Sequence, residues 1–111
     1  MKSLGDAAEE RAAAFLAAKG YFIVERNFRA KVGELDIVAR DGDTVVFVEV
    51  RSRASVRFGL PQETVTAAKR RKIVKTAQLY AQARGLDCPM RIDVLAETPR
   101  GFEHIEDAFS A

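Results

Sequence analysis

The sequence predicts one α/β domain, a mixed central sheet flanked by helices in the order α-β-β-β-α-β-β. Three observations lead there. A chain of 111 residues has the length of a single domain. Two segments repeat apolar residues at helical spacing, one before and one after a block of three strand-like runs. Two more strand-like runs close the chain, so the long second helix connects strands rather than ending the fold.

The first helix starts at Ser3, a capping residue with Asp6 three positions on. Leu4, Ala8, Ala12, Phe15 and Leu16 form its apolar stripe, and Gly20 ends it. Tyr21-Phe22-Ile23-Val24 opens a strand that continues toward Arg29. Strands over Glu34 to Ala39 and Thr44 to Arg53 flank Arg40-Asp41-Gly42-Asp43, whose Asp-Gly centre is a strong hairpin signal. Ser52 to Pro61, with Gly59 and Pro61, reads as a loop close to the function. Gln62 to Arg84 lacks Gly and Pro and predicts a long helix stopped by Gly85. Met90 to Ala96 and Phe102 to Phe109 read as the last two strands.

With 48% apolar and 31% charged residues, the composition excludes a disordered chain. The longest uncharged apolar run, Ala12 to Ala18, is far short of the roughly 20 residues of a membrane span, and no basic leader precedes it. Neither membrane insertion nor secretion is expected. A lone cysteine, Cys88, excludes an internal disulfide and a multi-thiolate zinc site, which points to a reducing, cytoplasmic setting. The net charge of +2 hides a segregation: residues 51–84 carry +8, residues 1–50 carry −2 and residues 85–111 carry −4. Such a basic block suits a polyanion, nucleic acid above all; the alternative is a solvated helix face.

The hydrophobic pattern breaks in one place. Along the third strand Val46, Val48 and Val50 share one face, while Val45, Phe47, Glu49 and Arg51 share the other. On the second strand Leu35, Ile37 and Ala39 oppose Glu34, Asp36 and Val38. A turn centred on Asp41-Gly42 sets Val38 across from Val45, Asp36 from Phe47 and Glu34 from Glu49, with Asp36 diagonal to Glu49. Carboxylates so crowded repel unless a positive charge lies among them. A hard divalent cation, Mg²⁺ or Mn²⁺, suits an all-oxygen donor set; neutralisation by Arg29, Arg51, Arg53 or Arg91 is the other solution. Glu9 falls at the edge of the first helix's apolar stripe, where it can approach the sheet, whereas Glu10 faces solvent. On the second helix Val65, Ile73, Ala77 and Tyr80 form the inner arc. Lys69 projects into that arc near the helix start, and Arg71, Lys72 and Lys75 lie on or near the far side.

The run GELDIVARDGDTVVFVEVRSR stands beside Ala8-Glu9, the RNFR of Arg26 to Arg29, Phe58-Gly59, the lysine-rich start of the second helix and the RIDV of Arg91 to Val94. Together these residues resemble the YraN-type family of small predicted bacterial endonucleases. The resemblance runs from about Gly5 to Glu97. That family is similar in turn to the PD-(D/E)XK superfamily of restriction-endonuclease-like and Holliday junction resolvase-like nucleases. The resemblance implies a catalytic set of Asp36, Glu49, Arg51 and Glu9, with Asp36 and Glu49 on the metal; Glu9 and, from the strand register, Glu34 are expected as auxiliary metal ligands. Arg51 stands where the superfamily has lysine; it keeps its positive charge but does not act as a base.

The expected function is that of a Mg²⁺- or Mn²⁺-dependent DNA endonuclease, with Arg53, Arg57, Lys69, Arg70, Arg71, Lys72 and Lys75 on the nucleic acid. An inactive nucleic-acid-binding module of the same fold is the alternative, and a protein-interaction domain a third. The expected partner is DNA, with no membrane; a homodimer stays open.

Overall fold

The structure, a computed structural model, describes residues 4–52 and 65–110, with residues 4–6 described by their backbone alone. Ser3, Arg53, Arg57, Phe58, Gly59 and the expected helix start at Gln62 lie outside the described residues. Helix α1 spans Leu4–Ala18 and α2 spans Ala67–Arg84; strands β1 to β5 span Phe22–Ala30, Gly33–Asp41, Thr44–Ser52, Met90–Thr98 and Gly101–Ile105. The order is α-β-β-β-α-β-β, that of a restriction-endonuclease-like domain. None of the described helices is long and apolar enough to cross a membrane.

The five strands lie in one sheet in sequence order. Neighbours run antiparallel except β3 and β4, which are parallel, so the chain between them must cross over, and α2 makes that crossover. One helix covers each face. Ala12 and Leu16 of α1, both fully buried, pack on Ile37, Val46, Val48 and Leu95. Ile73, Ala77 and Tyr80 of α2, with Val65 just ahead of it, pack on Val38, Phe47 and Val94. Burial on both faces is why β3 reads as a nearly unbroken apolar run rather than an alternating one. A fully buried leucine such as Leu16 contributes about 1.5–3 kcal/mol.

Helix α2 starts later than its composition suggests. Val65 and Thr66 precede the helix, and the Thr66 side chain caps it by accepting the Lys69 backbone N–H at 3.2 Å. Strand β5 stops at Ile105. Asp107 adopts a left-handed backbone, φ 51°, and turns the chain so that the Ala108 N–H bonds Ile92 O at 2.7 Å. Gly33 allows β2 to begin hard against α2: a Cβ there would sit 2.9 Å from Thr76 Oγ1.

The β2–β3 register also departs from expectation. Asp41 pairs with Thr44 and Ile37 with Val48, so Gly42 and Asp43 are the loop residues rather than Asp41 and Gly42. Gly42 supplies the positive φ that a tight hairpin needs, 61°. Moving the turn by one residue moves every cross-strand partner by two. Faces are preserved, but Asp36 rather than Glu34 comes to lie level with Glu49. A second irregularity sits beside it. On β1, Glu25 and Phe28 both reach Tyr80 on α2 although they are an odd three positions apart, and Asn27 between them has φ 57°. On β2, Leu35 joins Val38 in the α2-side core instead of following Ile37 and Ala39. The pleat is interrupted on both strands at the level of Asp36.

Candidate active site

Asp36 sits where β2 parts from β3. The ladder between them ends at the Ile37–Val48 pair, and the Asp36 side chain takes over: Oδ2 accepts the Val50 backbone N–H at 2.8 Å. Strand β3 itself continues alongside β4 as far as Ser52. The carboxyl group of Asp36 lies against that of Glu49, and the residues are only 8% and 4% exposed. Burial, then the Glu49 charge, pushes the Asp36 carboxyl up to about 8, against a lowering by the Val50 N–H. The direction is set first by burial, and the two carboxyl groups are hydrogen-bonded to each other.

Two cations converge on Glu49 Oε1. Lys69 Nζ, from the first turn of α2, is 3.0 Å away, and Arg51 Nη1 is 3.6 Å away. Glu9 of α1 comes to the same cavity, and its charge adds to the upward pressure on Asp36. Its Oε1 lies 3.9 Å from Arg26 Nη2. The cavity, of about 380 Å³, is thus bounded by α1 on one side and by α2 on the other, with the β2–β3 parting as its floor.

The structure therefore brings together Asp36, Glu49, Arg51, Glu9 and Lys69. Glu34 is not brought in: its side chain is 53% exposed and pairs with Arg29 at 3.3 Å, a direct result of the two-residue change in pairing. Arg71, Lys72 and Lys75 are exposed along α2, as the helical wheel predicts. Arg70 is held differently, its Nε donating to Val65 O at 2.9 Å and its guanidinium lying 5.4 Å from the centre of the Phe109 ring.

The donor set fits a particular kind of ion. Among the described residues no three His, Cys, Asp or Glu side chains are gathered closely enough to cage a metal. Two touching carboxyl groups and an open cavity fit a hard cation that keeps most of its waters, as Mg²⁺ does, and do not fit zinc.

A second polar cluster, on the α1 side of the sheet, is built around Asp93 and His104. Asp93, fully buried, accepts from Arg91 Nε at 3.0 Å and from the Asp107 N–H at 2.9 Å, and its Oδ2 lies 2.7 Å from His104 Nε2. Burial works to raise this carboxyl, but the bonds from His104, the Asp107 N–H and Arg91 outweigh it and hold it below its ordinary value. His104 Nδ1 lies 2.7 Å from Lys19 Nζ, so it accepts from the ammonium while Nε2–H donates to Asp93. Arg91 also donates to Tyr21 OH at 2.7 Å. The cluster ties the α1–β1 connection, at Lys19 and Tyr21, to β4 and β5; only the RIDV run hinted at it.

The model of the uncharacterised protein family UPF0102 matches residues 8–96. The chain belongs to the UPF0102 family. Among its relatives, a UPF0102 protein of Hahella chejuensis is 46% identical over 96% of this chain and 90% of its own length. One from Geotalea uraniireducens is 49% identical over 97% of this chain and 90% of its own. A third, from Thermodesulfovibrio yellowstonii, is 42% identical over 96% and 95%. The UPF0102 match takes in Glu9, Asp36, Glu49, Arg51 and Lys69, so the whole carboxylate cavity falls within it, whereas His104 lies beyond it.

Proposed function

We propose that this UPF0102 chain is a Mg²⁺- or Mn²⁺-dependent endonuclease that hydrolyses DNA phosphodiesters. The observation that carries the reading is the buried Asp36–Glu49 carboxyl pair in a cavity open to solvent, with Lys69 and Arg51 both placed at Glu49. Buried carboxyl pairs with strongly perturbed protonation cluster at functional sites, because isolation from water costs stability that packing alone would avoid.

Asp36 and Glu49 would hold the cation, with Glu9 available to a water on it. A hard divalent ion there supplies the charge that lowers the pKa of water and screens the attacked phosphate. The chain's own residues do the rest. Lys69 is 48% exposed, so its ammonium can leave Glu49 for a phosphate oxygen once another cation neutralises that carboxylate. Arg51 supplies permanent charge and directional donors for the negative charge that grows on the phosphorus oxygens. Between them these two supply what a strand lysine followed by nothing else would have to supply alone. Arg71, Lys72 and Lys75 present a basic stripe to the backbone of the same strand, one turn further along α2.

The test is a cleavage screen over duplex, single-stranded, flap and four-way DNA with Mg²⁺ or Mn²⁺. Cutting that disappears in both Asp36→Asn and Glu49→Gln supports the reading. A parent protein that binds these DNAs but cuts none of them supports the second reading, a binding module of the same fold. The feature favouring that alternative is Arg51, a cation without a removable proton, already engaged by Glu49.

A further inference from the structure

A groove runs along the flank of α2 that faces the C-terminal segment, away from the carboxylate cavity. Its apolar part, about 260 Å³, is walled by Val74, Ala77 and Ala81 of α2 and by Phe47, Met90 and Ile92 of the sheet. A second part, about 410 Å³, lies between Val74 and the basic side chains Arg70, Arg71 and Lys75. Val74, Gln78, Phe109 and Ser110 line both, so the two adjoin. The far wall is built rather than incidental. The left-handed turn at Asp107 and the bonds of Asp107 N–H to Asp93 and of Ala108 N–H to Ile92 O fasten the segment, and Phe109 is left with its ring under the Arg70 guanidinium.

We propose that this groove takes an unpaired nucleobase of the substrate strand. The inference rests on the nuclease reading and names its substrate class as DNA with an extrahelical or single-stranded nucleotide. An occupant must be apolar on its faces to lie among Val74, Ala77 and Phe109, and anionic on one side to meet Arg71 and Lys75. A base with its own phosphate has both properties. Gln78, exposed at the junction of the two parts, offers an amide donor and acceptor to the base edge. Bases within a duplex present no free face, and an aromatic ring backed by arginine is a common platform for one that has left the stack. Along the axis Lys69 and Gln78 are nine residues apart, about 13.5 Å at 1.5 Å per residue, and at about 100° per residue they stand on opposite sides of α2, so the basic outer face with Arg71 and Lys75 lies between the carboxylate cavity and the groove. A strand that reaches both crosses the outer face of α2 rather than following its axis.

The test uses the whole protein in EDTA, so that binding is read without cleavage. The probes are a DNA duplex with one bulged 2-aminopurine, the same duplex without the bulge, and a bulge carrying an abasic site. The proposal expects at least five-fold tighter binding of the bulged base than of either control, with quenching of its fluorescence. Gln78→Glu and Phe109→Ala should each remove most of that preference. Equal affinity of the parent for bulged, abasic and plain duplex overturns the proposal, as does an undiminished preference in both variants. The nuclease reading is judged separately, by whether the parent cuts any of these DNAs with Mn²⁺.

Discussion

The raised Asp36 carboxyl gives the site a pH signature of unusual sign. An ordinary buried, paired aspartate is held below its unfolded value and stabilises a protein as pH rises. Asp36 is raised to about 8, so between roughly pH 4 and pH 8 the folded state keeps a proton that the unfolded chain has lost. Metal-free stability should therefore fall across that window, by at most about 1.4 kcal/mol per pH unit. Urea unfolding in EDTA at several pH values checks this: the parent should weaken toward pH 8, and Asp36→Asn should be flatter and more stable at the upper end. A stability that is level or rising between pH 5 and pH 8, compared with that mutant, would contradict the assigned protonation. Millimolar Mn²⁺ should reverse the loss in the parent by mass action and leave Asp36→Asn unmoved, as melting curves would record. For chemistry, Lys69→Met should abolish cleavage while strengthening Mn²⁺ binding, because it removes the cation that competes for Glu49; calorimetry separates the two effects. Arg51→Lys should retain or raise cleavage, and Arg51→Ala should lose it.

Among the elements, α2 decides where the cations stand. Its start is set by Thr66, and Thr66→Ala should cost about 1 kcal/mol through the lost cap. Its height over the sheet is set by the contact of Gly33 with Thr76, whose hydroxyl is held to Lys72 O at 2.7 Å. Gly33→Ala should destabilise the fold, and adding Thr76→Ala should recover part of the loss. A double-mutant cycle by denaturant unfolding should show coupling on the order of 1 kcal/mol, and strict additivity would disprove the close approach. The helices, the hairpin and the inward arc of α2 could be read from sequence because each depends on local periodicity. Glu9 could be placed near the sheet for the same reason. The level of Asp36 against Glu49 could not, since two adjacent pairs of residues fit the Asp-Gly turn and composition does not choose between them. Nor could the break in the pleat at Asn27, where a left-handed residue inside β1 has no compositional warning beyond the asparagine itself. The Lys69–Glu49 contact and the Asp93 cluster join residues remote in sequence, and only the assembled fold reveals them.

For the molecule as a whole, charge is arranged by element rather than by total. The acidic site lies in the sheet, and the basic stripe lies on one helix beside it. Neutralising Arg71, Lys72 and Lys75 together should weaken binding of every DNA alike and lower the salt dependence by up to about three phosphate contacts. Affinity measured over a salt series checks it; an unchanged slope would make the stripe a solvated face. Stability is anchored elsewhere. Removing the buried partner of Arg91 and His104, as in Asp93→Ala, should cost roughly 3–5 kcal/mol, with no direct effect on the carboxylate cavity.

The bond from the Val50 N–H to Asp36 Oδ2 makes one amide of the sheet a listener to the site. Its partner is a side chain whose protonation changes, where the neighbouring ladder amides have carbonyl partners that do not. The Val50 amide resonance should therefore titrate with the Asp36 carboxyl while the amide of Val48 stays still. Its exchange with deuterium should slow when a divalent ion pins that carboxyl in place. A single peak in a nitrogen–proton spectrum thus reports occupancy of the cavity without substrate, label or turnover, and would give an affinity for each metal in turn.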